Sequence, residues 1–262
     1  MATRAAPILT RILESRRAAI AEIKAHGRSA LARSMAQAPA PADFRAALIT
    51  GTVALIAECK GRSPSGGVLQ DPYDPVGLAR RYVANGAAAL SVLTEPEFFG
   101  GRLDHLQAIR AAVPVPLLCK DFIVDPVHLM AARAAGADAV LLIVAILDDA
   151  RLRDLLAVTH GYGMQALVEV HDETEVDRAL EADAAIIGIN NRDLTAMRTD
   201  KETTSRLRSL IPAGHVIVSE SGIDSRVDIE ALARLGVNAA LVGESLLRAP
   251  DLDAKVRELS GR

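Results

Sequence analysis

Two opposite charges, Glu58 and Lys60, stand two residues apart at the end of an apolar run, Val-Ala-Leu-Ile-Ala at 53–57. An unbroken apolar run marks a strand buried on both faces, and strand side chains alternate. Glu58 and Lys60 therefore share one face and Cys59 takes the other. Buried charges of this kind are costly unless they are paired or used. The pattern recurs along the chain. Lys120 follows the run 115–118, Glu169 falls within 166–170, Asn190-Asn191-Arg192-Asp193 follow 185–189, and Ser219-Glu220-Ser221 follow 216–218. Lysines and carboxylates at strand ends can donate and accept protons and steady a developing charge. One such residue is more often half of a structural ion pair than a catalyst. The signal lies in several of them being brought to one place.

Glycine supplies a second signal. Ser221-Gly222 comes after the seventh apolar run and Gly243-Glu244-Ser245 after the eighth. Turns of this kind let backbone N–H groups approach an anion closely, which suits a phosphate. Ordinary tight turns would look the same. Ser65-Gly66-Gly67 would let the first loop close over a ligand, a weaker indication. A third signal is aromatic. The chain has no Trp and only four Phe, and three of these, Phe98, Phe99 and Phe122, follow the second and third runs. Gathered at a site they would take a flat apolar group; otherwise they pack loops onto the rim. His171 has no second His or Cys at ligand spacing, so no catalytic metal is expected. Cys59 and Cys119 should point away from their charged neighbours, as packed thiols between sheet and helices.

The elements that must position these residues are regular. Apolar runs at 53–57, 89–93, 115–118, 139–143, 166–170, 185–189, 216–218 and 239–242 alternate with amphipathic stretches such as 76–84, 103–112 and 227–235. Strand–helix alternation means a parallel sheet, and eight repeats in this length predict an α/β fold of the (β/α)8 TIM barrel type. An internal echo agrees. Asn-Gly-Ala at 85–87, Ala-Gly-Ala at 135–137 and Leu-Gly-Val at 235–237 each end a helix and enter an even-numbered strand, and Glu-Ala-Asp-Ala at 181–184 is a glycine-less version. A doubly wound open sheet is the alternative, but no Gly-x-Gly-x-x-Gly follows the first strand. Helical spacing over 8–24, an Ala/Pro-rich segment at 34–42 and a short helical piece at 44–48 make residues 1–50 an N-terminal helical extension. Residues 51–262 form the barrel of a single domain. In a barrel the strand ends converge on one mouth, so Glu58, Lys60, Lys120, Glu169, Asn190 and Glu220 are predicted to meet there.

Composition narrows the setting. The 262 residues are 50% hydrophobic with a formal charge of −3 and scattered Lys and Arg, which argues against nucleic acid as a partner. The longest apolar run, 139–147, is too short to cross a membrane, and no apolar segment follows Arg4 as a signal peptide would require. Two cysteines without a disulfide pattern suit a reducing cytoplasm. A monomer is expected, with a weak homodimer as the alternative.

Taken together the motifs closely resemble the indole-3-glycerol-phosphate synthase family. They are Ile-Ala-Glu-Cys-Lys-Gly-Arg-Ser-Pro-Ser (56–65), Ser-Val-Leu-Thr-Glu-Pro-Glu-Phe-Phe-Gly-Gly (91–101), Leu-Cys-Lys-Asp-Phe-Ile-Val-Asp-Pro (118–126), Leu-Val-Glu-Val-His (167–171), Gly-Ile-Asn-Asn-Arg-Asp-Leu (188–194), Ser-Glu-Ser-Gly-Ile (219–223) and Val-Gly-Glu-Ser-Leu (242–246). The departures, Cys59 and Met197, fall outside the matched catalytic positions.

The resemblance implies a phosphorylated small-molecule substrate, 1-(2-carboxyphenylamino)-1-deoxyribulose 5-phosphate, closed to indole-3-glycerol phosphate with loss of carbon dioxide and water, as a step of tryptophan biosynthesis. It implies no cofactor. Lys120 would neutralise the alkoxide formed on ring closure, and Glu169, with Glu58 or Lys60, would share the later acid and base roles. Lys60 could instead hold a substrate carboxylate or phosphate. Asn190, Glu220 and Ser221 would orient hydroxyls and keep the lysines charged. Phe99, Phe122 and Leu194 would flank the aryl ring, and Gly222, Gly243 and Ser245 would carry the phosphate, with Ser63, Arg192 and Glu244 also against substrate. The rival readings are a Schiff-base aldolase, which borohydride would trap on Lys60 or Lys120, the neighbouring sugar-phosphate isomerase, and a non-catalytic sugar-phosphate binder.

Overall fold

All eight apolar runs form strands in the computed structural model, which describes residues 7–64, 66–193 and 198–262. They are β1 (Ala54–Cys59), β2 (Ala89–Leu93), β3 (Leu117–Lys120), β4 (Ala139–Ile143), β5 (Gln165–Val170), β6 (Ile186–Asn190), β7 (Val216–Glu220) and β8 (Ala239–Val242). Every pairing among them is parallel, and β1 pairs with both β2 and β8, so the sheet closes into a barrel. Inward positions Ala54, Ile56, Leu118, Leu141, Leu167, Ile186, Val218 and Leu241 fill the interior. Outward positions such as Leu55, Cys59, Leu90, Cys119, Val168 and Ile187 pack under the surrounding helices.

Strands run further than the apolar pattern suggests. β1 continues to Cys59, β3 to Lys120 and β7 to Glu220, because a charged side chain facing the polar mouth leaves the backbone ladder intact. β3 also starts later than expected, after Pro116, whose ring nitrogen has no hydrogen to donate. The left-handed residue predicted at the helix-to-strand joins is present as Gly86, Gly136 and Gly236, with φ of 107°, 91° and 72°. The glycine-less join puts Asp183 at φ 62° in the same place, a conformation that Asp tolerates better than most residues.

The N-terminal segment wraps the barrel from mouth to base. Helix α1 (Pro7–His26) was expected; α2 (Arg28–Gln37) was not, since none of its residues is fully buried and its apolar stripe is as short as Leu31 and Met35. α3 (Phe44–Leu48) buries Phe44 and Leu48 completely in the barrel-interior cluster. Its Arg45 N–H donates to Gln165 Oε1 at the start of β5, so α3 plugs the end opposite the mouth. At the mouth, α1 sends Arg16 to Asp121, with Nε 3.0 Å from Oδ1 and Nη2 3.0 Å from Oδ2. Among the described residues no helix is long and apolar enough to cross a membrane.

Candidate active site

The barrel's alternate-strand layering explains where the chemistry lies. Inward positions at the mouth end of odd strands are Glu58, Lys120, Glu169 and Glu220; the corresponding even-strand positions are small or apolar, among them Ser91, Ile143 and Gly188. The even strands therefore leave room for the long charged side chains of the odd ones. Gly188 is a case in point: a Cβ there would lie 2.5 Å from Glu220 Oε1. At Gly243 it would lie 2.5 Å from Glu58 Oε1 and 2.9 Å from Lys60 Nζ.

The charges form one connected group. Lys60 Nζ donates to Glu58 Oε1 at 2.5 Å, and Lys120 Nζ donates to Glu58 Oε2 and Glu220 Oε2, each at 3.1 Å. Burial alone would raise the Glu58 carboxyl, but Lys120 and Lys60 outweigh it and hold it down to about 2. Burial would lower Lys120, yet Glu58, Glu220 and Glu169 raise it well above the ordinary lysine range. Glu220 goes the other way. Its burial, only partly offset by Lys120, pushes it up to about 7, and its Oε1 has no hydrogen-bond partner among the described residues. Glu169 is held below its ordinary value: His171, Lys120 and the Asn190 amide overcome the cost of its burial.

These residues stand on a cavity of about 510 Å³ at the mouth. Of the expected site residues, Glu58, Lys60, Ser63, Phe99, Lys120, Phe122, Glu169, Asn190, Arg192, Ser221, Gly222, Gly243, Glu244 and Ser245 all line it. Glu220 lies beneath the floor, 1% exposed, where its carboxylate accepts from Lys120. Leu194 and Met197 lie outside the described residues, as does Ser65 of the first loop. That loop forms a short hairpin in which Ser63 is buried and its Oγ accepts from Gly66 N at 2.9 Å.

In the two glycine turns after β7 and β8 the serine hydroxyls are engaged by the protein itself. Ser221 and Gly222 are consecutive left-handed residues, φ 67° and 76°, and for Ser221 that is a strained conformation held by its neighbours. Asn191 Nδ2 donates to the Ser221 carbonyl at 2.9 Å, and Ser221 Oγ donates to Asn190 Oδ1 at 2.9 Å. Ser245 Oγ donates to the Ile223 carbonyl at 2.8 Å, tying the two turns together. Glu244 pairs with Arg248 Nε at 2.8 Å and lies 3.8 Å from Arg192 Nη2 at the cavity.

The Phe99 and Phe122 rings approach at 6.1 Å between centroids on one cavity wall, while Phe98 turns outward under Arg11 of α1. Sequence reasoning missed what holds them. Fully buried Glu95 accepts the backbone N–H groups of Glu97, Phe98 and Phe99, and Asp121 Oδ1 accepts that of Phe122 at 2.8 Å. Both acids sit inside the quoted motifs, directly beside residues that were noticed. Cys59 and Cys119 are buried under the helices, their thiols raised by burial, Cys119 to about 12. Among the described residues no group of three His, Cys, Asp or Glu is placed to hold a metal.

A closed parallel barrel with two glycine turns and a connected group of lysines and carboxylates at its mouth has the parts of an acid–base enzyme acting on a small molecule. The chain matches the family described as indole-3-glycerol phosphate synthase over residues 9–259. It is 52% identical over 264 residues to the indole-3-glycerol phosphate synthase of Roseiflexus sp. (strain RS-1), covering 97% of this chain and 98% of that protein. It is 53% identical over 226 residues to indole-3-glycerol phosphate synthase 2 of Streptomyces coelicolor, covering 86% and 88%. Among solved structures, 3-hexulose-6-phosphate synthase from Salmonella typhimurium shares the fold, with a TM-score of 0.66 at 18% identity over 80% of this chain and 97% of that one. The chain belongs to the indole-3-glycerol phosphate synthase family, and its activity is that of a carboxy-lyase of tryptophan biosynthesis.

Proposed function

We propose that the cavity binds 1-(2-carboxyphenylamino)-1-deoxyribulose 5-phosphate with its phosphate at Gly222 and Gly243 and its aryl ring against Phe99 and Phe122. The observation that carries the reading is the placement of Lys120, whose ammonium sits within 3.1 Å of both Glu58 and Glu220 on the cavity floor. In ring closure the aryl carbon bearing the carboxyl bonds to the ribulose carbonyl carbon, and the carbonyl electron pair becomes an alkoxide. Lys120 donates a proton to it; an ammonium with so high a pKa works mainly by stabilising the developing charge. Carbon dioxide then leaves, and the electrons of the broken carbon–carbon bond restore the aryl ring.

Dehydration needs one more acid and a base. Glu58 and Glu220 are both in direct contact with lysines, whereas Glu169 makes no such ion pair among the described residues. Glu169 is therefore the base, taking the proton from the former sugar carbon next to nitrogen, and Lys60 protonates the departing hydroxyl. Every step is a proton transfer or a bond rearrangement that side chains supply, so the reading calls for no cofactor. A Schiff base is disfavoured because it needs a neutral amine, and both lysines face carboxylates. We also take the chain to act as a single domain and as a monomer in the cytoplasm, with a weak homodimer as the alternative, and without nucleic-acid or membrane partners.

The test is direct. Addition of the carboxyanilino substrate should release carbon dioxide as indole absorbance appears. Lys120→Ala should lower kcat by about a thousandfold while KM changes a few-fold, since the charge it meets develops only on reaction. Near-normal turnover in that variant would overturn the assignment.

A further inference from the structure

Two residues beyond Glu169 on the same face of the chain stands His171, which the reaction as drawn does not use. Its side chain is 14% exposed and lies between two carboxylates. Nδ1 is 2.9 Å from Glu175 Oε2, and Nε2 is 3.2 Å from Glu169 Oε1, within ion-pair reach though off the line of a good hydrogen bond. Glu175 is itself held in place. Its Oε2 also accepts the backbone N–H of His171 at 2.8 Å, and its own N–H donates at 2.9 Å to Asp172, the N-cap of the helix Glu173–Glu181.

A neutral imidazole carries one N–H. Whichever nitrogen holds it, the other would turn a lone pair toward a carboxylate. The imidazolium alone suits both neighbours. Burial would lower the pKa of His171, but Glu169 and Glu175 outweigh that and raise it to about 10. Facing Glu169 from the other elements are Lys120 of β3, Glu220 of β7 and the neutral amide of Asn190 of β6.

We propose that His171, clamped as an imidazolium by Glu175, is a positioning residue for the reaction: it fixes the Glu169 carboxylate at the cavity wall and keeps it charged. The inference rests on Glu169 being the base. It gives Glu175, which does not line the cavity, a role two contacts away from Glu169.

His171→Asn and Glu175→Gln are tested by kcat and KM as functions of pH, alongside thermal melts and a Glu169→Gln control. In His171→Asn kcat at neutral pH should fall about tenfold with KM within about twofold, and the acid limb of the kcat profile should move up by about one pH unit. The sign follows because losing the neighbouring cation makes the Glu169 proton harder to remove. Glu175→Gln, which leaves the imidazole next to Glu169, should move the limb the same way by less. An unmoved acid limb in both variants, with only the melting temperature lowered, would overturn the inference and leave His171 as packing. If Glu169→Gln keeps its turnover, the base assignment falls and this inference with it. If Glu169→Gln is inactive while the limb stays put in both variants, only the inference falls.

Discussion

A single added methyl at Gly188 tests the idea that even strands leave space for the charges of the odd ones. Gly188 is in register with Glu169 on one side and Val218 on the other, and its absent Cβ would lie 2.5 Å from Glu220 Oε1. An ordinary contact needs about 3.4 Å, so the carboxylate must retreat by about 0.9 Å. Leu167 closes the other side, its Cδ1 at 3.1 Å and Cγ at 3.3 Å from the same point. The 3.1 Å bond from Lys120 to Glu220 would then stretch toward about 4 Å, beyond hydrogen-bonding range. Misplacing a catalytic group by about 1 Å costs on the order of a hundredfold in rate. Losing a charged hydrogen bond costs about 1.5–3 kcal/mol, while replacing glycine within a strand returns about 0.5–1 kcal/mol. Gly188→Ala should therefore lower kcat about a hundredfold, as followed by indole absorbance, and lower stability by about 1–2 kcal/mol in denaturant titration. In a Glu220→Ala background the clash with the carboxylate is gone and the contact with the Leu167 side chain remains, so the added cost in kcat should shrink to within about threefold. A folded Gly188→Ala enzyme with kcat near that of the parent, or an equal cost in both backgrounds, would refute the argument.

Acid should report on Glu58. Its pKa is about 2 in the folded chain against an ordinary 4.5, so the stability it contributes is present above pH 4.5 and is lost as pH falls through about 2. That contribution amounts to about 3 kcal/mol, and Glu58→Gln should flatten the corresponding part of the stability-versus-pH curve; an unchanged slope would contradict the assignment. The Arg16–Asp121 pair joins α1 to the residue that holds Phe122 N–H. Arg16→Ala should cost about 3 kcal/mol in denaturant titration, because it leaves Asp121 buried without its cation, and Arg16→Ala with Asp121→Asn should recover part of the loss. A cost below about 1 kcal/mol for the single variant would mean that the pair is not holding α1 in place.

Much of this site is legible in local pattern. Alternation within one strand is a short-range property, so Glu58 and Lys60 on one face with Cys59 on the other can be read from three residues. The glycine at the helix-to-strand joins is similarly local, and even the glycine-less join at Asp183 reveals itself by position. Helix α2 was not legible because it buries none of its residues fully, and one i, i+4 pair, Leu31 and Met35, is too short a period to mark a helix. The roles of Glu95 and Asp121 were hidden for another reason: each accepts backbone N–H groups of residues near it in sequence, a geometry that depends on how a loop folds back.

The sequence by itself determined the strand count, the faces, the joins and the set of charged residues at strand ends, because each depends on neighbours within a few positions. Only the tertiary structure decided how those charges are shared. Closure of the barrel and its register put Lys120 between Glu58 and Glu220, left Glu169 to His171 instead of a lysine, and set Glu220 under the floor where burial raises it to about 7. Those partners lie 62 and 100 residues from Lys120. A pKa is set by burial and by charges within a few ångströms, and no spacing along the chain records either.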